Sequence, residues 1–254
     1  MIHYRDNGYT LEPVPMDPAA PAFRCGAGFF ETLYCNGGEI RHLEKHLDRI
    51  FHSLRTFDVE YETVDFEEVI AQVLNRNGLT GQTARVNIFY PMGADTASPV
   101  VTAAPHEPKP YKAYRLCVCK NRHVSMLNGH KTTNAMFAHL ALRRALSRGF
   151  DEVALFDLDC NILQAAEGAL AFKKEGAFVC VDSPYRQPSI ALDLAGEELN
   201  IQPARIGPDD LPGYRHAYIL NSLIGMRPVV SIGETAFVPD DDACAKVMRR
   251  VLGE

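Results

Sequence analysis

The chain carries no excess of basic charge, no long apolar run, no CxxC pair and no internal repeat or low-complexity tract. Each absence removes a class of function. With 26 Lys and Arg against 32 Asp and Glu, the formal net charge is -6, so the electrostatic footprint of a DNA-, RNA- or anionic-membrane-binding protein is missing. No stretch approaches the roughly eighteen apolar residues of a membrane span. The first residues, MIHYRDNGYTLEPVP, contain no continuous apolar core of the kind a signal peptide needs. The expectation is a cytoplasmic protein with no nucleic-acid or membrane partner, acting on a small molecule. The seven cysteines, at 25, 35, 117, 119, 160, 180 and 244, are odd in number and mostly lie in apolar segments such as RLCVCK and AFVCVD. They read as reduced core thiols. No histidine cluster follows at finger spacing, and no metal site is expected.

What is present is an ordinary globular composition: 254 residues, 46% hydrophobic and 23% charged, enough for one large domain or two smaller ones. The compositional break is Pro105-His106-Glu107-Pro108-Lys109-Pro110, where the prolines forbid a helix and favour an extended linker. It predicts domains over 1–108 and 109–254, the second carrying Lys131. Before the break, FFETLYCNG and GEIRHL read as strands joined at Asn36-Gly37-Gly38. Leu43, Leu47, Ile50 and Leu54 then form the apolar stripe of a helix, and Phe66, Val69, Ile70, Val73 and Leu74 that of a second. ARVNIFY reads as a strand. After the break, RLCVC is a strand, Thr133 is a candidate cap for a helix over about 134–148, and VALFD and ILQAA form a hairpin across Asp159-Cys160-Asn161. AFVCVD, AYILNS and VVSIG add strands, and a last helix begins near Asp240, Asp241 and Asp242, where carboxylates suit the positive end of the helix dipole. Hairpins with interspersed helices in two units describe an α+β protein.

Lys131, in HKTTNAMFAHLALRRAL, stands between a polar turn and an amphipathic helix. A desolvated, neutral lysine can form a Schiff base with an aldehyde, which an ordinary ammonium cannot. By local pattern alone, a solvated lysine at a helix start explains it. His42 and His46 are four apart on one helix, but HLEKH is not HExxH, and they read as surface histidines. Gly26-Ala27-Gly28 leads into a strand instead of a helix, so a tight turn explains it. Asp157, Asp159 and Asp240 to Asp242 suit turn and capping chemistry without a metal.

Taken in order, CGAGFFETLYCNGGEIRHLEKHLDRI, ARVNIFYPMG, HKTTN, DEVALFDLDCNILQAAEGAL and YILNSLIGMRPV resemble the class IV aminotransferase family, over about Asp17 to Val230. Its members are pyridoxal phosphate enzymes of fold type IV and include branched-chain and D-amino acid aminotransferases and 4-amino-4-deoxychorismate lyase. The resemblance implies that Lys131 is the Schiff-base lysine and proton shuttle. It implies that Arg49 binds the cofactor phosphate, a surface salt bridge being the bland alternative. It also implies that Ser222, with the backbone N–H of Leu223, meets the same phosphate in the NSLIG segment, which otherwise reads as a turn. The family's active sites lie between two domains and draw on a neighbouring subunit, so the resemblance implies a homodimer.

The chain departs from the family in four places. Where relatives pair a glutamate with the cofactor's ring nitrogen, this sequence has Gln164, a hydrogen-bonding amide that cannot hold that nitrogen protonated by charge. Glu167 is the nearest replacement, yet its odd offset puts it on the opposite side of a regular strand. Ala169 replaces an asparagine. SPYRQPSIALDLAG is about one helical turn short of a full phosphate turn and helix, and Met92 stands where several relatives place an arginine for a substrate carboxylate. Tyr34, Arg85 and Arg186 are the remaining candidates to hold a substrate acid group. Three readings follow: a lyase that converts aminodeoxychorismate to 4-aminobenzoate and pyruvate in folate synthesis, a transaminase for an amino acid, and a non-catalytic relative. The lyase reading leads, because creating an aromatic ring tolerates a weaker electron sink and NSLIGMRPV leans toward that branch.

Overall fold

The computed structural model describes residues 1–15, 17–93, 96–108 and 110–253. The chain divides into two compact units, Met1–Pro108 with His130–Ala135, and Lys109–Gly129 with Met136–Glu254.

The first unit begins with the short strands β1 (His3–Arg5) and β2 (Gly8–Thr10) and a single helical turn, α1 (Pro21–Arg24). Strand β3 (Gly28–Asn36) then turns through Gly37 and Gly38 into β4 (Glu39–Ile40). Both glycines have positive φ, 61° and 95°, which is what a two-residue hairpin turn demands. Helices α2 (Leu43–Thr56) and α3 (Phe66–Arg76) follow, then β5 (Ala84–Pro91) and β6 (Val100–Pro105). The six strands form an antiparallel sheet in the order β2-β1-β6-β5-β3-β4. Alternation along β3 and β5 places Phe29, Leu33 and Cys35 with Val86, Ile88 and Tyr90 in one core with Ile50, Leu54, Ile70 and Val73 of the two helices. Met92 packs against this core too. Asp65 caps α3 by accepting the Glu68 N–H at 3.0 Å.

The segment His130–Ala135 belongs to this unit, which corrects the expectation that Lys131 lies in the C-terminal domain. It runs beside the start of β3. Phe29 bridges Thr132, the Phe30 N–H donates to the Lys131 carbonyl at 3.0 Å, and the Thr133 N–H to the Gly28 carbonyl at 2.9 Å. Thr133 does not cap the following helix. Its hydroxyl donates to the Gly26 carbonyl at 2.6 Å, and the helix starts only at Met136.

The second unit opens with β7 (Tyr114–Val118) and α4 (Met136–Leu146), then β8 (Glu152–Phe156), β9 (Ile162–Ala165), β10 (Ala169–Lys174) and β11 (Ala177–Val181). It continues with α5 (Ile190–Leu199), β12 (Gln202–Ala204), β13 (His216–Asn221), β14 (Gly225–Ile232), β15 (Thr235–Ala236) and α6 (Asp241–Leu252). The sheet is mixed, in the order β12-β11-β10-β13-β14-β7-β8-β9 with β15 beside β14. Leu116, Phe156, Leu170, Phe172, Ile219 and Val229 centre its core, while Leu142 and Ala145 of α4 cover Cys117, Val153 and Leu155. In the β8–β9 hairpin Cys160 takes φ 63°, and the Asp157 carboxylate accepts the Asn161 N–H at 2.8 Å. Asp240 caps α6 through the Ala243 N–H and also accepts from Lys173 Nζ at 2.7 Å and the Tyr218 hydroxyl at 2.8 Å. An antiparallel and a mixed sheet with packed helices agree with the α+β expectation. The cysteines are all free, but Cys25 and Cys160 are exposed and are not core thiols. No described helix is long and apolar enough to cross a membrane.

Gly28 is the position where this architecture bears on Lys131. A Cβ there would stand 2.8 Å from the Tyr90 carbonyl and 3.2 Å from the Thr133 hydroxyl. Gly28→Ala should therefore push β5 or the lysine segment aside and cost about 1–3 kcal/mol in urea unfolding. An unchanged midpoint would show that the approach is not tight.

Candidate active site

The centre of the first unit's polar chemistry is Glu31. It shares its face of β3 with Phe29 and Leu33, is 0% exposed, and lies opposite Ile88 across the sheet. An isolated carboxylate there would be prohibitively desolvated. Helix α2 supplies the partners: Arg49 donates from Nε to Oε1 at 2.7 Å and from Nη2 to Oε2 at 2.6 Å, and His46 Nδ1 lies 2.6 Å from the same Oε2. Burial pushes the Glu31 carboxyl up, but the Arg49 guanidinium and the His46 hydrogen bond outweigh it and hold it at about 2. His46 shifts down, chiefly by burial, with the positive charges of Arg49 and Lys131 adding to the effect against Glu31. It is thus a neutral imidazole at neutral pH that donates from Nδ1 to the carboxylate. The expectation of surface histidines fails at His46, which is 1% exposed. The signal that could have found this pair was a lone acid at a core-facing position of FFETLYC, opposite a helix whose stripe includes His46.

The same helix holds the lysine segment. Ser53, one turn beyond Arg49, accepts or donates at 3.0 Å with His130 Nδ1, and the His130 ring packs edge-on against Phe57 at 4.8 Å. Lys131 is half-buried, with Nζ 4.4 Å from the centre of the Phe30 ring. On that face of the sheet Phe30 stacks on Phe89, and Thr32 donates to Asn87 at 2.9 Å. Tyr34 and Arg85 are cross-strand partners further along. Arg85 is exposed, whereas Tyr34 is 1% exposed and packs edge-on against His106.

The remaining candidates lie in the second unit. Gln164, half-buried on β9, accepts the Gln187 N–H through Oε1 at 2.9 Å, tying the strand to the segment before α5. Helix α5 is ten residues long and Ser189 caps it. Arg186 is half-buried, with Nη1 enclosed and without a hydrogen bond. Ser222 and Leu223 form the β13–β14 turn. The N–H groups of Leu223 and Ile224 both donate to Asn221 Oδ1, at 2.9 and 3.0 Å, so the expected nest is filled by the chain's own carboxamide. Glu167 is exposed in the loop after β9. Its backbone N–H donates to Glu152 Oε1 at 2.7 Å, while Oε2 accepts from Val153 and Ala166. Glu152 was not singled out in the sequence; it is 3% exposed, and burial pushes its carboxyl up to about 7 despite the three N–H donors. Among the described residues, no group of three or more His, Cys, Asp or Glu is arranged to hold a metal.

The sequence profile of amino-transferase class IV matches residues 28–232. The chain belongs to the class IV aminotransferase family. An aminodeoxychorismate lyase from Vibrio harveyi is 24% identical over 272 residues, covering 97% of each chain. Among solved structures, a branched-chain aminotransferase from Thermoproteus uzoniensis with norvaline superposes with a TM-score of 0.89 at 16% identity, over 100% of this chain and 95% of that one. A branched-chain amino acid aminotransferase from T.th., complexed with N-(5'-phosphopyridoxyl)-L-glutamate, gives 0.87 at 19%, over 99% and 94%. These likenesses establish the fold, fold type IV of the pyridoxal phosphate enzymes.

In this member of the family the loop after Gln164 is held by a buried carboxylate: Glu152 gathers the N–H groups of Ala166 and Glu167. Because the folded pKa of Glu152 is raised from 4.5 to about 7, its contribution to stability is complete below the unfolded value and is lost as pH rises through about 7. Glu152→Gln stays neutral throughout. Relative to the variant, the native protein should lose ~3 kcal/mol in chemical unfolding between pH 5 and pH 8. Parallel stability curves would show that Glu152 ionises normally.

Proposed function

We propose that the protein is a pyridoxal phosphate enzyme that carries the cofactor on Lys131 and acts as an aminodeoxychorismate lyase, releasing 4-aminobenzoate and pyruvate. The observation that carries the reading is the presence in one unit of Lys131 and of Arg49, whose guanidinium is fixed by the buried Glu31–His46 pair. Such a donor set fits a phosphorylated aldehyde: an amine for the carbonyl and a fixed guanidinium for the phosphate. The likeness to the Vibrio harveyi lyase along 97% of both chains supports the choice of reaction.

When bound, the cofactor supplies a carbonyl carbon for the substrate amine and a ring that accepts electrons. Lys131 Nζ, once displaced by that amine, is the group that takes and returns the proton. The Phe30 ring, centred 4.4 Å from Nζ, walls one side of the amine and fixes the direction from which it moves a proton. Gln164 has its carboxamide oxygen committed to the Gln187 N–H, so the side chain presents N–H donors. A donor suits an unprotonated ring nitrogen and therefore a weaker electron sink. Elimination to an aromatic product tolerates this better than transamination does. Ser222 and Leu223 serve the phosphate in this reading only if Asn221 yields their segment's N–H groups. We further read the enzyme as a cytoplasmic homodimer acting on a small-molecule amine.

Three measurements test this. Native protein with pyridoxal phosphate should show a visible absorption band that borohydride bleaches as it attaches the cofactor covalently and that Lys131→Ala lacks, and a colourless native protein would favour the non-catalytic reading. The native enzyme should form 4-aminobenzoate from aminodeoxychorismate, while rapid interconversion of cofactor absorption bands by amino acids, without 4-aminobenzoate, would establish a transaminase. Gln164→Glu should raise the rate of that interconversion by about tenfold or more, because a carboxylate holds the ring nitrogen protonated. An unchanged rate would show that the amide does not limit it.

A further inference from the structure

Arg49 is not simply a surface cation near a lysine. Its guanidinium is engaged along the Nε–Nη2 edge by both oxygens of one carboxylate, at 2.7 and 2.6 Å, and that carboxylate is wholly buried while the arginine side chain keeps 14% exposure. The carboxylate is itself held: His46, 1% exposed, shares Oε2 from the next turn of α2, and the strand backbone of β3 is paired to β5 along its length. A long side chain with several free torsions is thereby reduced to one orientation, with its opposite edge directed away from the buried acid. We propose that Glu31 is a positioning residue. Its carboxylate, braced by His46, sets the Arg49 fork for the cofactor phosphate and so provides the discrimination between pyridoxal phosphate and the same aldehyde without its phosphate. The inference rests on the reading of Arg49 given above.

Electrostatics and positioning predict opposite signs here. Removing a negative charge bonded to Arg49 would, by charge alone, strengthen binding of a phosphate. Removing the group that orients the fork weakens it, because the arginine then has to be ordered on binding. Bidentate geometry and near-complete burial make orientation the larger effect, since the acid accepts from both Nε and Nη2 of the guanidinium.

The test is the ratio of dissociation constants for pyridoxal and pyridoxal phosphate, measured on the full chain by equilibrium binding, with 31P resonance of the bound phosphate as a second readout. Arg49→Ala should abolish most of the native preference for the phosphorylated aldehyde. Glu31→Gln should lower that preference by about tenfold and broaden or shift the 31P line. Glu31→Asp, which keeps the charge but cannot reach both guanidinium nitrogens, should lower it as well. His46→Phe keeps an aromatic ring but removes the hydrogen bond to Oε2, and should lower it several-fold. A purely structural role would lower the unfolding midpoint and leave the ratio and the 31P line unchanged. If Arg49→Ala keeps the native ratio, the reading of Arg49 fails and this inference with it. If Arg49→Ala loses the preference while a folded Glu31 or His46 variant retains or increases it, only the assignment of Glu31 is overturned.

Discussion

A carboxylate placed in the middle of an apolar sheet face is the constraint on which the first unit depends. Glu31 lies between Phe29 and Leu33, opposite Ile88, and can be buried as a charge only if a guanidinium and an imidazole arrive at it together. That requirement ties β3 to α2. A slip of one residue in the strand would carry Glu31 to the face of Phe30 and Thr32, away from its partners, and would bring Thr32 into the core. On the helix, His46 and Arg49 are three residues apart and so reach the same neighbour. Burial, register and helix phase are thus three statements of one condition.

The helix that meets this condition also organises the candidate chemistry. Successive turns of α2 present His46, Arg49 and Ser53, and Ser53 meets His130, the residue before Lys131. The lysine segment is held from its other side by β3, through Phe30, Thr132 and Thr133. A guanidinium is thereby fixed on a buried anion, and the lysine segment is held by the same helix and the same strand, both rigid elements, and not by loops alone. In the second unit the polar groups at family positions are committed to their own chain: Gln164 to Gln187, and the turn N–H groups to Asn221. That contrast is why the chemistry read from this protein leans on the first unit's cations and on a reaction that needs little from the cofactor's ring nitrogen.

Much of the architecture was legible because it is local. The stripe beginning at Leu43, the Gly37-Gly38 turn and the Asp240 cap each depend on residues a few positions apart, and each stands as expected. The family was legible from five short segments in order, although none of them is decisive alone. What could not be read was who meets whom at long range. Thr133 looks like a helix cap, yet its hydroxyl goes to Gly26, 107 residues away. His46 looks like one of two surface histidines, yet the core stripe of α2 includes it. Glu152 heads an apolar strand and drew no attention in the sequence, but the loop after β9 folds back on it and adds the N–H groups of Ala166 and Glu167 to that of Val153.

The sequence by itself determined four of the longer helices and many of the core strands, the absence of a nucleic-acid-binding charge pattern, the family, and the identity of Lys131 and Arg49 as the residues to examine. These follow from composition, periodicity and motif order, which are properties of neighbours along the chain. Only the tertiary structure decided that Lys131 travels with the first unit, that Glu31 and His46 stand behind Arg49, and that Gln164 has its oxygen already spent. Those facts depend on strand register and on which face of a helix meets which face of a sheet. Register and face are settled by the summed burial of many residues and not by any short segment.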